Sequence, residues 1–207
     1  MRSLATVPRE ISDEIINFCH SINPQSTVNF IDSIPLKGST IGNCFDNVNQ
    51  SKNNDEVSTL GWIIWQTSSH LLQAEFHNVI KSKNGTLRCV TPYKRDYKRI
   101  LFLPDATMQY ENRRVHTIYK AISDIVETKI FIEALESLSE IEIYMSDSSV
   151  CDYFNNPENV EKRNSLQTTM QDIENAIELF ESIVLKDTTR NSECICGSGK
   201  KFKKCCG

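Results

Sequence analysis

The sequence lacks any run of eighteen apolar residues, so it contains no candidate for a membrane-spanning helix. Its first ten residues lack the apolar block of a secretory signal peptide. The chain also has no internal repeat, no low-complexity tract and no glycine loop with the spacing that cradles phosphates. Its aromatic residues do not interleave with a basic patch, which disfavours direct binding of nucleic acid. Together these absences predict a cytoplasmic protein without a membrane span.

Cysteine is the residue type that this sequence concentrates in one place. Of its eight cysteines, four fall within the last fourteen residues, at Cys194, Cys196, Cys205 and Cys206. The only other apolar side chains of that segment are Ile195 and Phe202, which bury too little surface to offset the entropy of ordering it. Four thiolates on one tetrahedral Zn²⁺ would fold such a segment, because in small metal modules the binding free energy is the folding free energy. The spacing, a Cys-x-Cys pair followed by an eight-residue return, therefore predicts a zinc site.

Disulfides or unmodified thiols are the alternatives for these four cysteines. A bridge between the adjacent Cys205 and Cys206 would strain the usual disulfide geometry. A cytoplasmic location also keeps thiols reduced, which is the expectation for the remaining cysteines, at positions 19, 44, 89 and 151.

The C-terminal stretch resembles a known module at nearly every position. From Cys194 to Gly207 it reads C-I-C-G-S-G-K-K-F-K-K-C-C-G. This is similar to the SEC-C module, the small zinc-binding tail of the translocase ATPase SecA and of many otherwise unrelated bacterial proteins. The resemblance implies a zinc-bound knob that docks the chain on a macromolecule, with a ribosome or a chaperone such as SecB as the partner.

Charge is distributed unevenly along the chain. From Thr188 onward five basic residues accompany one acidic residue, a balance of +4, so the remainder carries −8 to give the total of −4. A zinc site of four thiolates has a formal charge of −2, so part of the lysine charge compensates the site. The rest is available to an acidic protein or to nucleic-acid phosphates, unless the lysines only keep the site soluble.

The larger part of the chain mixes strand and helix patterns. A helix ending at Asn23-Pro24 is predicted first, then four or five mostly antiparallel strands between residues 27 and 103, with a hairpin turn at Asn84-Gly85. Apolar stripes then predict helices from about residue 113 to 144 and from 166 to 184, separated by a loop at 146–157. The sequence thus predicts an α+β body at residues 1–186, a mainly antiparallel sheet packed with helices. A polar linker at 187–193 and the zinc knob at 194–207 follow it.

The order of two residues in this body indicates a possible active site. Cys44 follows a glycine-containing loop at a predicted helix start, where the helix dipole favours a thiolate, and His77 lies in a later strand. The order resembles that of transglutaminase-like and papain-like cysteine enzymes. The resemblance implies that His77 takes the Cys44 proton and later returns it, in a hydrolase or acyltransferase directed by the zinc tail. At the third position, where a transglutaminase-like protein has aspartate, this sequence has Cys89.

Two other interpretations of these residues stay open. Cys44 and His77 can be ordinary members of a core, since buried cysteine and satisfied histidine are common there. Alternatively, Cys44, His77 and Cys89 can form a second metal site, because thiolates and imidazole are suitable ligands. The body is therefore either a binding protein or a cysteine enzyme.

Overall fold

The computed structural model describes residues 4–145, 148–192, 194 and 200–205. The chain forms two compact units. The strand unit comprises Ala5–Thr67 and Leu72–Lys120, and the helical unit comprises Met1–Leu4, Ser68–Leu71 and Ala121–Gly207. The predicted α+β class is confirmed, because a six-stranded sheet and several long helices make up the described part of the chain. The predicted boundaries at residues 186 and 193 stay a prediction.

The strand unit begins with helix α1 (Asp13–Ile22). Ser12 caps its start, because the hydroxyl accepts a hydrogen bond from the Ile15 amide, and Asp13 and Glu14 follow in the first turn. The helix buries Ile15, Phe18 and Cys19 on one face, as the apolar spacing predicts.

Strand β1 (Asn29–Ser33) and helix α2 (Cys44–Ser51) follow, and then the hairpin β2 (Val57–Thr67) and β3 (Leu71–Lys81). The sheet is completed by β4 (Leu87–Cys89), β5 (Arg99–Pro104) and β6 (Ile118–Ala121). The strand order is β2-β5-β1-β4-β3-β6, and β2 also pairs with β3. Five strands therefore pair in a closed cycle, with β6 added on β3.

Strand pairing in this sheet is mainly antiparallel, as predicted. The pairs β1–β5, β2–β5 and β3–β4 are antiparallel, whereas β1 and β4 run parallel. Side chains from all five strands of the cycle form one core, made of Ile31, Ile63, Trp65, Val79, Cys89, Ile100 and Phe102. Val48 of α2 packs on Ile80 and Val90, which fixes this short helix on the sheet.

The helical unit contains α3 (Val126–Met145), α4 (Ser148–Asn155) and α5 (Val160–Asp187). The predicted seam of α5 is present, with Ile173, Ile177, Phe180 and Val184 buried. Phe180 stacks on Phe131 of α3 with ring centroids 4.1 Å apart. At the end of α5, the Asp187 carboxylate is 3.0 Å from Nε2 of the buried His70.

Two predictions of secondary structure are wrong. The helix predicted from residue 113 begins at Val126, because Ile118 belongs to β6, where neighbouring strands decide the backbone conformation of a short apolar segment. The loop predicted at 146–157 contains α4, since serine is as common at helix starts as in loops.

Candidate functional site

The strand unit contains a cavity of about 540 Å³ beside the start of α2. Its wall combines three kinds of side chain. Phe45, Phe76 and Tyr110 contribute aromatic rings; Cys44, His77, Thr91 and Tyr93 contribute uncharged polar groups; and Glu75, Arg113 and Arg114 contribute the ionisable ones. This volume lies within the range of sites that hold small organic molecules.

Two polar groups of this wall, His77 and Tyr93, form a closed triangle with the buried Cys89. His77 Nε2 lies 3.3 Å from Cys89 Sγ and 3.3 Å from Tyr93 Oη, and Cys89 Sγ lies 3.2 Å from Tyr93 Oη. Topology explains the arrangement, because His77 is on β3, Cys89 is on the neighbouring β4, and Tyr93 follows four residues later. Cys89 thus lies, as a thiol, directly beside the His77 imidazole.

Burial keeps this triangle uncharged. His77 is only 3% exposed, and the loss of water lowers the pKa of its imidazole to about 3. Burial likewise raises the pKa of the Cys89 thiol and of the Tyr93 hydroxyl above their ordinary values. At neutral pH the three groups are therefore a neutral imidazole, a thiol and a phenol, which exchange hydrogen bonds and not protons.

Cys44 is the first residue of α2, as predicted. Asn47 holds this helix start in place, because its amide nitrogen donates to the Thr91 hydroxyl at 3.1 Å and its oxygen accepts from the Thr40 amide at 2.9 Å. The expectation of a low thiol pKa at Cys44 is wrong. Burial raises the pKa to about 11, and the backbone amides of Asn78 and Phe45 lower it by less than burial raises it.

Cys44 and His77 line the same cavity, but they are not paired. Among the described residues, the hydrogen bonds found at the His77 ring go to Cys89 and Tyr93 and none goes to Cys44. Proton transfer from a thiol of pKa about 11 to an imidazole of pKa about 3 is strongly uphill. At about 1.4 kcal/mol per pKa unit, the ion pair costs on the order of 10 kcal/mol before any partner stabilises it. The assignment of Cys44 and His77 as catalytic residues stays a prediction.

The second metal site predicted from Cys44, His77 and Cys89 is not formed. No group of three or more His, Cys, Asp or Glu side chains within the described ranges is arranged to hold a metal ion. The side chains are directed to different partners: the Cys44 sulfur meets the backbone amides of Asn78 and Phe45, while Cys89 and His77 contact each other and Tyr93.

Sequence reasoning missed Tyr93, Arg113 and Arg114. Glu75 accepts a hydrogen bond from the Trp65 indole at 2.8 Å. The Glu75 side chain is exposed, yet protein atoms around its carboxyl exclude water and raise its pKa. The Trp65 hydrogen bond and the Arg114 charge lower the pKa by less. Tyr93 directly follows Pro92 at the end of the hairpin, and no local pattern distinguishes it from a surface tyrosine.

In the C-terminal segment the structure describes Cys194 and residues 200–205. The Cys194 amide donates to the Lys200 carbonyl at 2.7 Å, and the Phe202 amide donates to the Ser192 carbonyl at 2.8 Å. Residues 202–204 form a 3₁₀ turn, and the Cys205 amide bonds back to the Phe202 carbonyl. Cys194 is buried and Cys205 is exposed, whereas Cys196 and Cys206 lie outside the described residues.

This backbone is bonded to the chain that precedes it. Besides the Ser192 bond, the Lys203 amide donates to the Arg190 carbonyl at 3.1 Å. The family model of the SEC-C motif matches residues 190–207, so the match begins at Arg190, the residue that accepts the Lys203 hydrogen bond. The C-terminal segment is a SEC-C module. Its four lysines, Lys200, Lys201, Lys203 and Lys204, are all exposed.

Known relatives share only a short part of this chain. A UPF0225 protein of Vibrio parahaemolyticus is 66% identical over 29 residues, and a UPF0225 protein of Vibrio vulnificus is 62% identical over the same length. Each match covers 14% of this chain and 17% of the relative. No solved structure matches the chain significantly. Within the described residues, no helix has both the length and the apolar character needed to cross a bilayer.

Proposed function

We propose that the basic SEC-C module docks this protein on a macromolecular partner, either a ribosome or an acidic chaperone of the SecB kind. The observation that carries the proposal is the exposure of all four lysines of the module. Counting Lys, Arg, Asp and Glu alone, the module carries +4 against −8 for the rest of the chain, and a four-thiolate zinc site of formal charge −2 would leave it at +2. A basic surface on an acidic chain attracts an acidic partner through the module and repels it elsewhere, which orients the encounter.

Zinc is part of this proposal. Cys194, Cys196, Cys205 and Cys206 would hold the ion, and a structural Zn²⁺ site of four thiolates would supply the folding energy of a segment with so few apolar residues. The described hydrogen bonds bring Ser192 and Cys194 beside Phe202 and Lys200, so the backbone returns on itself as a four-cysteine site requires. We place the protein in the cytoplasm, where thiols are available to zinc.

The docking proposal is tested with the double charge reversal Lys203→Glu and Lys204→Glu. Wild-type protein is expected to co-sediment with purified ribosomes, or to be captured by purified SecB, and the reversal weakens this at least tenfold. Wild-type binding also fades between 0.15 and 1 M salt, because the Debye length shrinks from about 8 to about 3 Å.

A matched control removes the same charge elsewhere. Lys81 and Lys83 are exposed in the strand unit, and their reversal to glutamate leaves binding intact if the module is the contact. Metal analysis accompanies each variant and is expected to find one zinc per chain in all of them. Binding by the Lys203/Lys204 variant at the wild-type level, with zinc retained, would reduce the lysines to a solubilising role.

A second function, the cysteine-dependent hydrolase or acyltransferase, stays a hypothesis without support from the geometry. The two residues it requires share a cavity wall, but His77 is engaged by Cys89 and Tyr93, and the Cys44 thiol is protonated at neutral pH. The docking function needs neither residue.

A further inference from the structure

The cavity of the strand unit is a built site that docking through the SEC-C module does not use. The elements around it are fixed by contacts of their own, since Asn47 bonds α2 to Thr91 and the Trp65 indole bonds Glu75 of β3. The cavity is therefore held open by the fold, and a ligand does not have to create it.

Aromatic rings form one wall of the cavity. Phe45 and Tyr110 are stacked with their planes within 8°, and Phe76 lies 5.8 Å from Phe45 between centroids. Phe76 also contacts the Trp62 ring, at 5.3 Å, so the wall is backed by a buried side chain and cannot collapse inward. Because Phe45 and Tyr110 each cover one face of the other, a planar ligand meets this wall at the ring edges or at a remaining outer face.

The ionisable groups of the wall are biased toward positive charge. Arg113 and Arg114 line the cavity together with one acidic residue, Glu75. The Arg114 charge acts on Glu75, so this pair offsets itself and the Arg113 guanidinium adds a net positive charge. This contrasts with the rest of the chain outside the C-terminal segment, which carries −8. A cavity of that sign in a chain of the opposite sign selects for an anion.

A further part of the cavity wall comes from the triangle of His77, Cys89 and Tyr93. Its members are neutral and already bonded to one another, and His77 and Tyr93 face the cavity. Such a wall offers hydrogen bonds but no charge, so it accommodates an uncharged portion of the ligand. We propose that this cavity binds a small aromatic organic anion, with its rings against Phe45 and Tyr110 and its carboxylate at Arg113.

The experiment compares 2-naphthoate with naphthalene-2-carboxamide, a neutral probe of nearly the same shape. Titration calorimetry on the full chain is expected to show one site for 2-naphthoate, at least tenfold tighter than for the amide. Arg113→Gln should weaken 2-naphthoate binding roughly tenfold and leave the amide unchanged, because it removes only the charge-assisted contact. Arg113 is exposed, so the variant is expected to keep the wild-type melting temperature.

Two controls locate the site. Lys98→Gln removes one positive charge from an exposed Lys98–Asp96 pair outside the cavity, and it should leave 2-naphthoate binding unchanged. The Lys203→Glu and Lys204→Glu variant should also bind 2-naphthoate normally, which separates this proposal from docking by the module. The proposal is overturned if 2-naphthoate shows no saturable binding, if the amide binds equally well, or if Arg113→Gln has no larger effect than Lys98→Gln.

Discussion

At the scale of single residues, burial decides what each cysteine can do. Cys44 stands at a helix start, which favours a thiolate, yet the loss of water around its sulfur outweighs the amides that face it. The helix dipole contributes at most a few kcal/mol near its end, whereas desolvation of a charged group in a protein interior costs several. The sequence pattern predicts that Cys44 lies at a helix start, but it does not predict how deeply the Cys44 sulfur is buried.

Alkylation of Cys44 tests this ordering of effects. With a pKa of about 11, the Cys44 thiol should react with iodoacetamide at neutral pH roughly a hundredfold more slowly than a thiol of pKa ~8.5. Cys19, whose pKa burial raises to about 12, serves as the matched slow thiol in the same mass-spectrometric experiment. Rapid labelling of Cys44 that disappears in His77→Ala would instead support the cysteine-enzyme hypothesis.

His77 gives the chain a specific dependence on pH. Its pKa is about 3 in the folded chain, against ~6.5 when unfolded, so between these values only the unfolded chain takes up the proton. Stability due to neutral His77 is therefore full above pH 6.5 and is lost as the pH falls toward 3. We expect the free energy of unfolding to fall by up to ~1.4 kcal/mol per pH unit within that window.

Urea titrations between pH 7.5 and 4.5 measure this loss, with His77→Gln as the reference. The glutamine variant has no group that titrates at this place, so its curve shows the contributions of all other groups, including the opposite trend of Glu75, whose pKa is raised. The difference between the two curves isolates His77. Parallel curves would show that His77 is not buried as a neutral ring.

At the scale of secondary-structure elements, local sequence patterns predicted the turns and helix faces that are determined by residues close together in the chain. The turn at Asn84-Gly85 and the apolar seam of α5 lie where the sequence predicts them, whereas the Ser12 cap of α1 was not predicted. Gly85 has φ of +88°, a conformation that glycine adopts without strain. Strand β6 could not be predicted, because its four residues are held by pairing with β3, a partner some forty positions away.

The buried face of α5 predicts how much substitutions in this helix change stability. Phe180 is 1% exposed and stacks on Phe131, so Phe180→Ala should lower the free energy of unfolding of the helical unit by ~3–5 kcal/mol through cavity formation. Leu179 is 46% exposed one position earlier, and Leu179→Ala should cost less than ~1 kcal/mol. Urea unfolding followed by far-ultraviolet circular dichroism measures both, and equal losses would contradict the observed packing.

At the scale of the whole molecule, predictability follows how far the interacting residues lie apart in sequence. The SEC-C module was recognisable because its residues lie within a short segment. The cavity was not recognisable, since its wall draws on residues from Ile41 to Thr117 in several elements. Cys44 and His77 line the same cavity and Cys89 contacts His77, but which of these side chains pair depends on the strand register, which no local pattern encodes.

The closed cycle of strands determines where the backbone hydrogen bonds of the strand unit open most easily. Each strand of the cycle pairs with two neighbours, so these five strands leave few unpaired backbone groups for another chain to extend. Its shortest member is the three-residue β4, which joins β1 to β3 and carries Cys89. A strand held by few backbone hydrogen bonds opens more easily than a longer one. Hydrogen exchange of backbone amides should therefore be fastest along β4 among the strands of the cycle. We therefore expect the contacts of Cys89 with His77 and Tyr93 to be broken when β4 opens.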